Sequence, residues 1–76
     1  MKIVIQGAGE VGSHLAKMLS LEANDITVID NDPERLAEIS SIADVVAVEG
    51  SPSSLRTMRE AGVQDADLFI SVVSFV

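Results

Sequence analysis

Three glycines at the N-terminus, Gly7, Gly9 and Gly12, have the types and spacing of a phosphate-binding turn. They follow a short β-branched run, Lys2 to Gln6, and lead into a segment of helical character. In such a turn Gly7 permits tight chain reversal, Gly9 lets the backbone approach a pyrophosphate, and Gly12 allows close helix packing. Because the first N–H groups and the positive dipole end of that helix point at the turn, they would face a phosphate.

Asp30 supplies a carboxylate at the position where nucleotide-binding βαβ units bind the ribose. Asp30 ends the next apolar run and can accept hydrogen bonds from both hydroxyls of an adenosine ribose. It should repel a 2′-phosphate, so NADP is the less expected dinucleotide. Arg35 is the one nearby argument against this, and we expect it to face solvent or pair with an acid. The combination predicts a nucleotide-binding βαβ unit; the alternative is a glycine turn with a solvated aspartate.

Four short apolar runs alternate with three helical patterns, which is typical of a parallel sheet covered by helices. The predicted strands are 2–6, 26–30, 45–48 and 68–73. Right-handed crossovers place them in the order 3-2-1-4, with helices one and two on one face and helix three on the other. The predicted fold is α/β, a Rossmann-like three-layer architecture in which residues 1–76 form the first half of a doubly wound domain.

The incomplete cover of this sheet predicts self-association. Helix three alone covers the second face, and the fourth strand is an open apolar edge. We therefore expect a truncated domain that is marginal as a monomer and associates through the bare face or that edge.

Local signals predict where the first two helices begin and what they bury. Helix one, from about Glu10 to Ser20, should turn one apolar stripe toward the sheet. That stripe consists of Val11, Leu15, Met18 and Leu19. Helix two should begin at Asp32 as N-cap with Pro33 at the first helical position.

The segment after the third strand has two interpretations that can both hold. Gly50 and Ser51 could offer backbone and hydroxyl groups to an adenine edge, or Ser51 could cap helix three with Pro52 at its first position. Gly62 should end that helix as a left-handed cap. Asn31, directly after Asp30, could reach the ribose or could simply tolerate a strained turn.

Composition excludes several classes of function. Twelve acids against five Lys and Arg residues, a net charge of −7, disfavour a nucleic-acid partner. With no cysteine and one histidine, a metal site is unsupported. His14 lies on the polar face of helix one with no orienting partner, so we expect it to be solvated rather than catalytic. No apolar run approaches the roughly 20 residues of a membrane span.

The chain resembles the nucleotide-binding domain of the Trk potassium-uptake regulatory proteins, also called the RCK or KTN domain. The resemblance covers Met1 to about Val73 and is carried by the N-terminal glycine segment and five further stretches. These are Asn24 to Asp30, Glu34 to Leu36, Glu49 to Ser51, Arg59 to Gly62, and Asp65 to Asp67.

This resemblance implies a cytoplasmic regulatory subunit rather than an enzyme, peripheral at the inner face of the membrane and not inserted in it. Its partner would be the membrane subunit of a potassium channel or transporter, beneath which family members assemble as dimers and rings. The implied ligand is NAD or NADH, alternatively ATP or ADP. The implied ligand-binding residues are Gly7, Ala8, Gly9, Glu10, Val11, Gly12, Asp30, Asn31, Gly50, Ser51, Val72 and Val73.

Two alternatives remain at this level. The first half of an NAD-dependent oxidoreductase would carry the same glycine motif and the same acid, and fold alone does not choose between them. A methyltransferase that uses S-adenosylmethionine is more distant, since the glycine spacing favours a pyrophosphate at the helix end.

Overall fold

The chain folds into one parallel sheet with helices on both faces. The computed structural model describes residues 1–51 and 53–72. The strands are β1 (Lys2–Gln6), β2 (Asp25–Asp30), β3 (Val45–Glu49) and β4 (Leu68–Ser71). The helices are α1 (Glu10–Ser20), α2 (Pro33–Ile42) and α3 (Leu55–Glu60), and a 3₁₀ turn at Val63–Asp65 precedes β4.

The strand order is β3-β2-β1-β4, and every pair is parallel, which confirms the predicted fold class and topology. β1 lies between β2 and β4, so Ile5 is in register with Val28 on one side and Ile70 on the other. Because both faces of these central strands are covered, their side chains are apolar without alternation. Ile3, Val4 and Ile5 are each at most 1% exposed.

Two hydrophobic clusters, one on each face, hold the layers together. On the first face, Ile3 and Ile5 of β1 pack with Leu36 and Ile39 of α2 and with Ala16 of α1. The second face carries a smaller cluster of Val4, Ile29 and Ala61, against which Met58 and Val63 pack. As predicted, α1 and α2 therefore cover one face, and the chain around α3 covers the other.

The buried face of α1 differs from the predicted one. Val11 and Met18 were expected to be buried, but they are 62% and 54% exposed. The face toward the sheet is formed by the small residues Gly12 and Ala16, and Leu15 and Leu19 of the predicted stripe pack partly buried beside them. A Cβ at position 12 would overlap the carbonyl oxygen of Gly7, so the close approach of helix to turn fixes the rotation of α1.

Of the predicted helix ends, two are confirmed and one is wrong. Asp32 caps α2 by accepting from the Glu34 N–H at 3.0 Å, with Pro33 as the first helical residue. Gly62 is left-handed, with φ of 81°, after the end of α3. The N-cap of α3, however, is Ser54 rather than Ser51: the Ser54 side chain accepts from the Thr57 N–H, 3.3 Å away.

Two predicted features lie outside the described residues: Pro52 as the first residue of helix three, and Val73 as the last residue of strand four. Ser51 itself makes a turn, since its carbonyl accepts from the Ser54 N–H at 3.0 Å. At the two margins of the second face, Val46 is 63% and Phe69 41% exposed, so the cover over this face is partial.

The glycine turn generates a matched pair of variants. Gly12→Ala should lower the free energy of unfolding by about 1–3 kcal/mol, because the added methyl group overlaps the Gly7 carbonyl. Gly9→Ala adds the same methyl group where nothing lies within 4 Å, and should change stability by less than about 1 kcal/mol. Urea unfolding followed by circular dichroism measures both; equal stabilities of the two variants would contradict the packing role of Gly12.

Candidate functional site

The carboxyl ends of β1 and β4 meet where the strand order reverses, which is where parallel α/β sheets bind ligands. Gln6 and Ser71 are in register there, and the Ser71 hydroxyl donates to Oε1 of Gln6 at 2.6 Å. The Val72 N–H donates to the Gln6 carbonyl at 2.9 Å, which continues the ladder beyond β4. We call this carboxyl edge of the sheet, bordered by the glycine turn, Asp30 and the end of β4, the crevice.

The turn from β1 into α1 needs glycine at two positions for different reasons. Gly7 has a φ of 109°, a conformation that side-chain-bearing residues rarely adopt, and its N–H donates to the Ile29 carbonyl at 2.8 Å. Val72 packs against the same turn, since a Cβ at Gly7 would be 3.1 Å from the Val72 carbonyl oxygen. The structure thus places Val72 beside the glycine turn.

The first turn of α1 presents uncapped N–H groups to this crevice. The N-cap is Gly9, which makes no side-chain cap, and the Ser13 N–H is bonded to the Gly9 carbonyl at 2.9 Å. The N–H groups of Glu10, Val11 and Gly12 precede that first bond and have no carbonyl one turn back within the helix. Apart from its chain neighbours, no atom of residues 1–51 and 53–72 lies within 4 Å of the position that a Gly9 side chain would take. These donors, the open space and the helix dipole together suit an anion.

Asp30 is buried at the edge of the crevice and joins two loops. It is 4% exposed, and its Oδ2 accepts from the Ala8 N–H at 2.7 Å. Its Oδ1 accepts from the Asp32 N–H at 2.8 Å. The carboxylate therefore fastens the glycine turn to the start of α2. Since each carboxylate oxygen has a second lone pair, both can accept one further hydrogen bond.

Arg35 lies near this carboxylate and pairs with acids, as expected. Its Nη1 is 3.9 Å from Oδ2 of Asp30, and its Nε is 3.7 Å from Oδ2 of Asp32. The Arg35 side chain is 55% exposed, so both pairs are long and solvent-screened. Arg35 thus lies beside the buried acid without a hydrogen bond to it.

The residues that follow β2 and β3 make fewer contacts with the crevice than the glycine turn and Asp30 do. Asn31 is exposed, and Ser51 is exposed with its hydroxyl 3.0 Å from that of Ser53. Gly50 donates its N–H to the Asp30 carbonyl at 3.0 Å and packs on Thr57, whose Oγ1 would be 2.6 Å from a Cβ there. The structure therefore connects Gly50 to Asp30 directly and leaves Asn31 and Ser51 at the rim.

Sequence reasoning missed four residues that shape the site. Gln6 and Ser71 form the polar pair between β1 and β4, and the strand register could have revealed them. Ser13 donates from Oγ to the Ala8 carbonyl at 2.8 Å and so supports the glycine turn. Thr57 is buried under Gly50 and fixes the path of the chain after β3. The sequence carries no local signal for the last two contacts.

Residues 1–51 and 53–72 carry neither a metal-ligand cluster nor a membrane-spanning helix. No group of three or more His, Asp or Glu side chains there is arranged to hold a metal ion. None of the helices in this part of the chain has the length and apolarity needed to cross a bilayer.

A parallel sheet of order 3-2-1-4, with a glycine turn into the first helix and an acid ending the second strand, defines a Rossmann-like domain of the nucleotide-binding class. Residues 3–74 match the family model of the TrkA-N domain. The chain belongs to the TrkA-N domain family.

Similar proteins carry the same family name. The chain is 47% identical over 74 residues to the Trk system potassium uptake protein TrkA of Haemophilus influenzae, and equally so to that of Halomonas elongata. It is 47% identical over 73 residues to a TrkA homolog of Archaeoglobus fulgidus. The matches cover 95–97% of this chain but 16% of each of these relatives, so the chain spans about one sixth of their length.

The bridging role of Asp30 generates a stability prediction. Asp30→Asn leaves one acceptor oxygen for two N–H donors and should lower the free energy of unfolding by about 1.5–3 kcal/mol. The matched control is Asp25→Asn, at the exposed start of the same strand, with an expected change within about 0.5 kcal/mol. Chemical unfolding of both variants is the measurement, and an undiminished stability of Asp30→Asn would rule out the bridge.

Proposed function

We propose that this domain binds an adenosine nucleotide, NAD or NADH and alternatively ATP or ADP, in the crevice at the carboxyl edge of the sheet. The phosphates would lie against Gly7, Ala8, Gly9, Glu10, Val11 and Gly12, the ribose against Asp30 and Asn31, and the adenine near Gly50 and Ser51. Val72 and Val73 would flank the rest of the ligand.

The observation that carries this proposal is the uncapped N-terminus of α1 beside open space. Glu10, Val11 and Gly12 begin the helix without acceptors for their N–H groups inside it, and no atom of the other described residues lies within 4 Å of the side-chain position at Gly9. An anion there gains several N–H donors and the helix dipole without displacing any protein group. A side chain at position 9 would occupy the space that the phosphates need.

Asp30 supports a ribose with two free hydroxyls. Its oxygens hold the Ala8 and Asp32 N–H groups and keep a lone pair each for the ribose. Access requires Arg35 to move aside, which its long contacts of 3.7 and 3.9 Å and its exposure permit. A 2′-phosphate would instead meet a buried carboxylate, so NADPH should bind less tightly than NADH.

For the whole protein we propose a regulatory subunit of a potassium uptake system. The support is the 47% identity to proteins named as Trk system potassium uptake proteins. The subunit would be cytoplasmic, would assemble as a homo-oligomer (a dimer or a higher ring), and would act on a membrane channel or transporter. Control of the transporter requires nucleotides to bind two states of the assembly with different affinity, since equal affinity shifts neither state.

The oxidoreductase alternative is not favoured. It would predict relatives with dehydrogenase names, whereas the matching proteins cited above carry potassium-uptake names. In addition, His14 lies exposed on α1, among the described residues, rather than in the crevice.

Calorimetric titration of NADH, NAD, ATP, ADP and NADPH into the protein tests the nucleotide proposal. NADH should bind at least about tenfold more tightly than NADPH, which corresponds to about 1.4 kcal/mol of repulsion at Asp30. Gly9→Ala should weaken NADH by a similar or larger factor while unfolding at nearly the wild-type urea concentration. Binding unaffected by Gly9→Ala, or NADPH binding as tightly as NADH, would refute the assigned site.

A chimaera tests the potassium-uptake proposal. In it, this chain replaces the matching 74 residues of the Haemophilus influenzae relative. We expect the chimaera to restore growth at low potassium to a bacterium that lacks its own Trk system potassium uptake protein TrkA, and the Gly9→Ala chimaera to fail at equal abundance. Failure of the unmodified chimaera, with the natural relative active in the same strain, would count against the shared role.

A further inference from the structure

One basic side chain lies against the carboxylate that would hold the ribose. Nη1 of Arg35 is 3.9 Å from Oδ2 of Asp30, and its Nε is 3.7 Å from Oδ2 of Asp32. Both distances are within the range of an ion pair and exceed about 3.2 Å, the usual limit of an N–H···O hydrogen bond. The two acids therefore balance the charge of the guanidinium group without using its N–H donors.

The other basic residues of the chain lie away from the crevice. Lys17 is in the last turn of α1 and Arg59 is in the last turn of α3, and both helices end at the amino edge of the sheet. Arg56 forms its ion pair within α3, and Lys2 begins β1 at that same amino edge. Among the described residues, Arg35 is thus the single cation paired with a carboxylate of the crevice.

A phosphate on the 2′ oxygen of the ribose would need such a cation. It would bring about two negative charges against Asp30 and Asp32. The guanidinium group of Arg35 presents its N–H donors in a planar fork that matches the oxygens of a phosphate. Because the Arg35 side chain is 55% exposed, it can turn from the two acids to a phosphate without losing a hydrogen bond.

Asp30 and Arg35 would act on a 2′-phosphate in opposite directions. Asp30 is 4% exposed and is held by the N–H groups of Ala8 and Asp32, so its repulsion is fixed in place. The attraction of Arg35 is weakened by solvent, since the side chain is exposed. Arg35 should therefore offset part of the repulsion and leave NADH the tighter ligand.

We infer that Arg35 is a specificity-determining residue that limits the discrimination between NADH and NADPH. This inference rests on the nucleotide proposal above, because it assigns a role to Arg35 within that site. Asp30 decides which of the two dinucleotides binds more tightly, and Arg35 decides by how much.

The test is calorimetric titration of NADH and NADPH into the wild type and Arg35→Gln at low ionic strength. We expect Arg35→Gln to weaken NADPH by about three- to tenfold and NADH by less than about twofold, so that the ratio of the two dissociation constants rises. Arg35→Lys keeps the charge but loses the planar fork, and should fall between the wild type and Arg35→Gln. Added salt should reduce the difference between the wild type and Arg35→Gln for NADPH.

Arg56→Gln is the matched control, because it removes an exposed cation of the same type from α3. It should leave both dissociation constants unchanged. Equal weakening of NADH and NADPH by Arg35→Gln would assign Arg35 to a part of the ligand that both share, and an unchanged ratio would leave it no role; either result overturns the inference. So would a wild type that binds NADH but shows no binding of NADPH at millimolar concentration, since Arg35 would then offset nothing. A wild type that binds neither dinucleotide would instead refute the nucleotide proposal itself.

Discussion

The carboxylate of Asp30 connects the parts of this domain that would otherwise be independent loops. One oxygen holds the Ala8 N–H in the glycine turn, and the other holds the Asp32 N–H before α2. The Asp30 carbonyl also accepts from Gly50, which ties in the end of β3. A single buried side chain and its own peptide group thus fix three chain segments around the crevice. Because hydrogen bonds to a charged group are stronger than neutral ones, this bridge is well suited to hold a preorganised site.

The two edges of the sheet have different chemistry as a consequence of parallel strands. All strands end at the same edge, so the glycine turn, Asp30 and the start of α1 collect there. All strands begin at the other edge, where the exposed side chains of Asp25 and Asp44 lie. The N–H donors at the first edge suit an anion, as proposed above, whereas the second edge carries acidic side chains.

Several features of fold and site were predictable because they depend on short stretches of chain. Asp32 with Pro33 predicts the start of α2, and the structure confirms the cap. The strand order follows from right-handed crossovers between short apolar runs. The buried stripe of α1 was predicted correctly for Leu15 and Leu19, which pack on the core, and wrongly for Val11 and Met18, which are exposed. Gly12 indicates the correct rotation of α1, because the helix must approach the glycine turn closely at this residue.

By itself the sequence determined the order of the elements, the glycine turn and the position of Asp30 at a strand end. These are properties of local backbone preference and of apolar patterning. Only the tertiary structure decided that Ser54 rather than Ser51 caps α3 and that both oxygens of Asp30 are bonded. The bond from Ala8 to Asp30 joins segments 22 residues apart, which no local pattern records, and the choice between two nearby serines as cap depends on the path of the chain from β3 to α3.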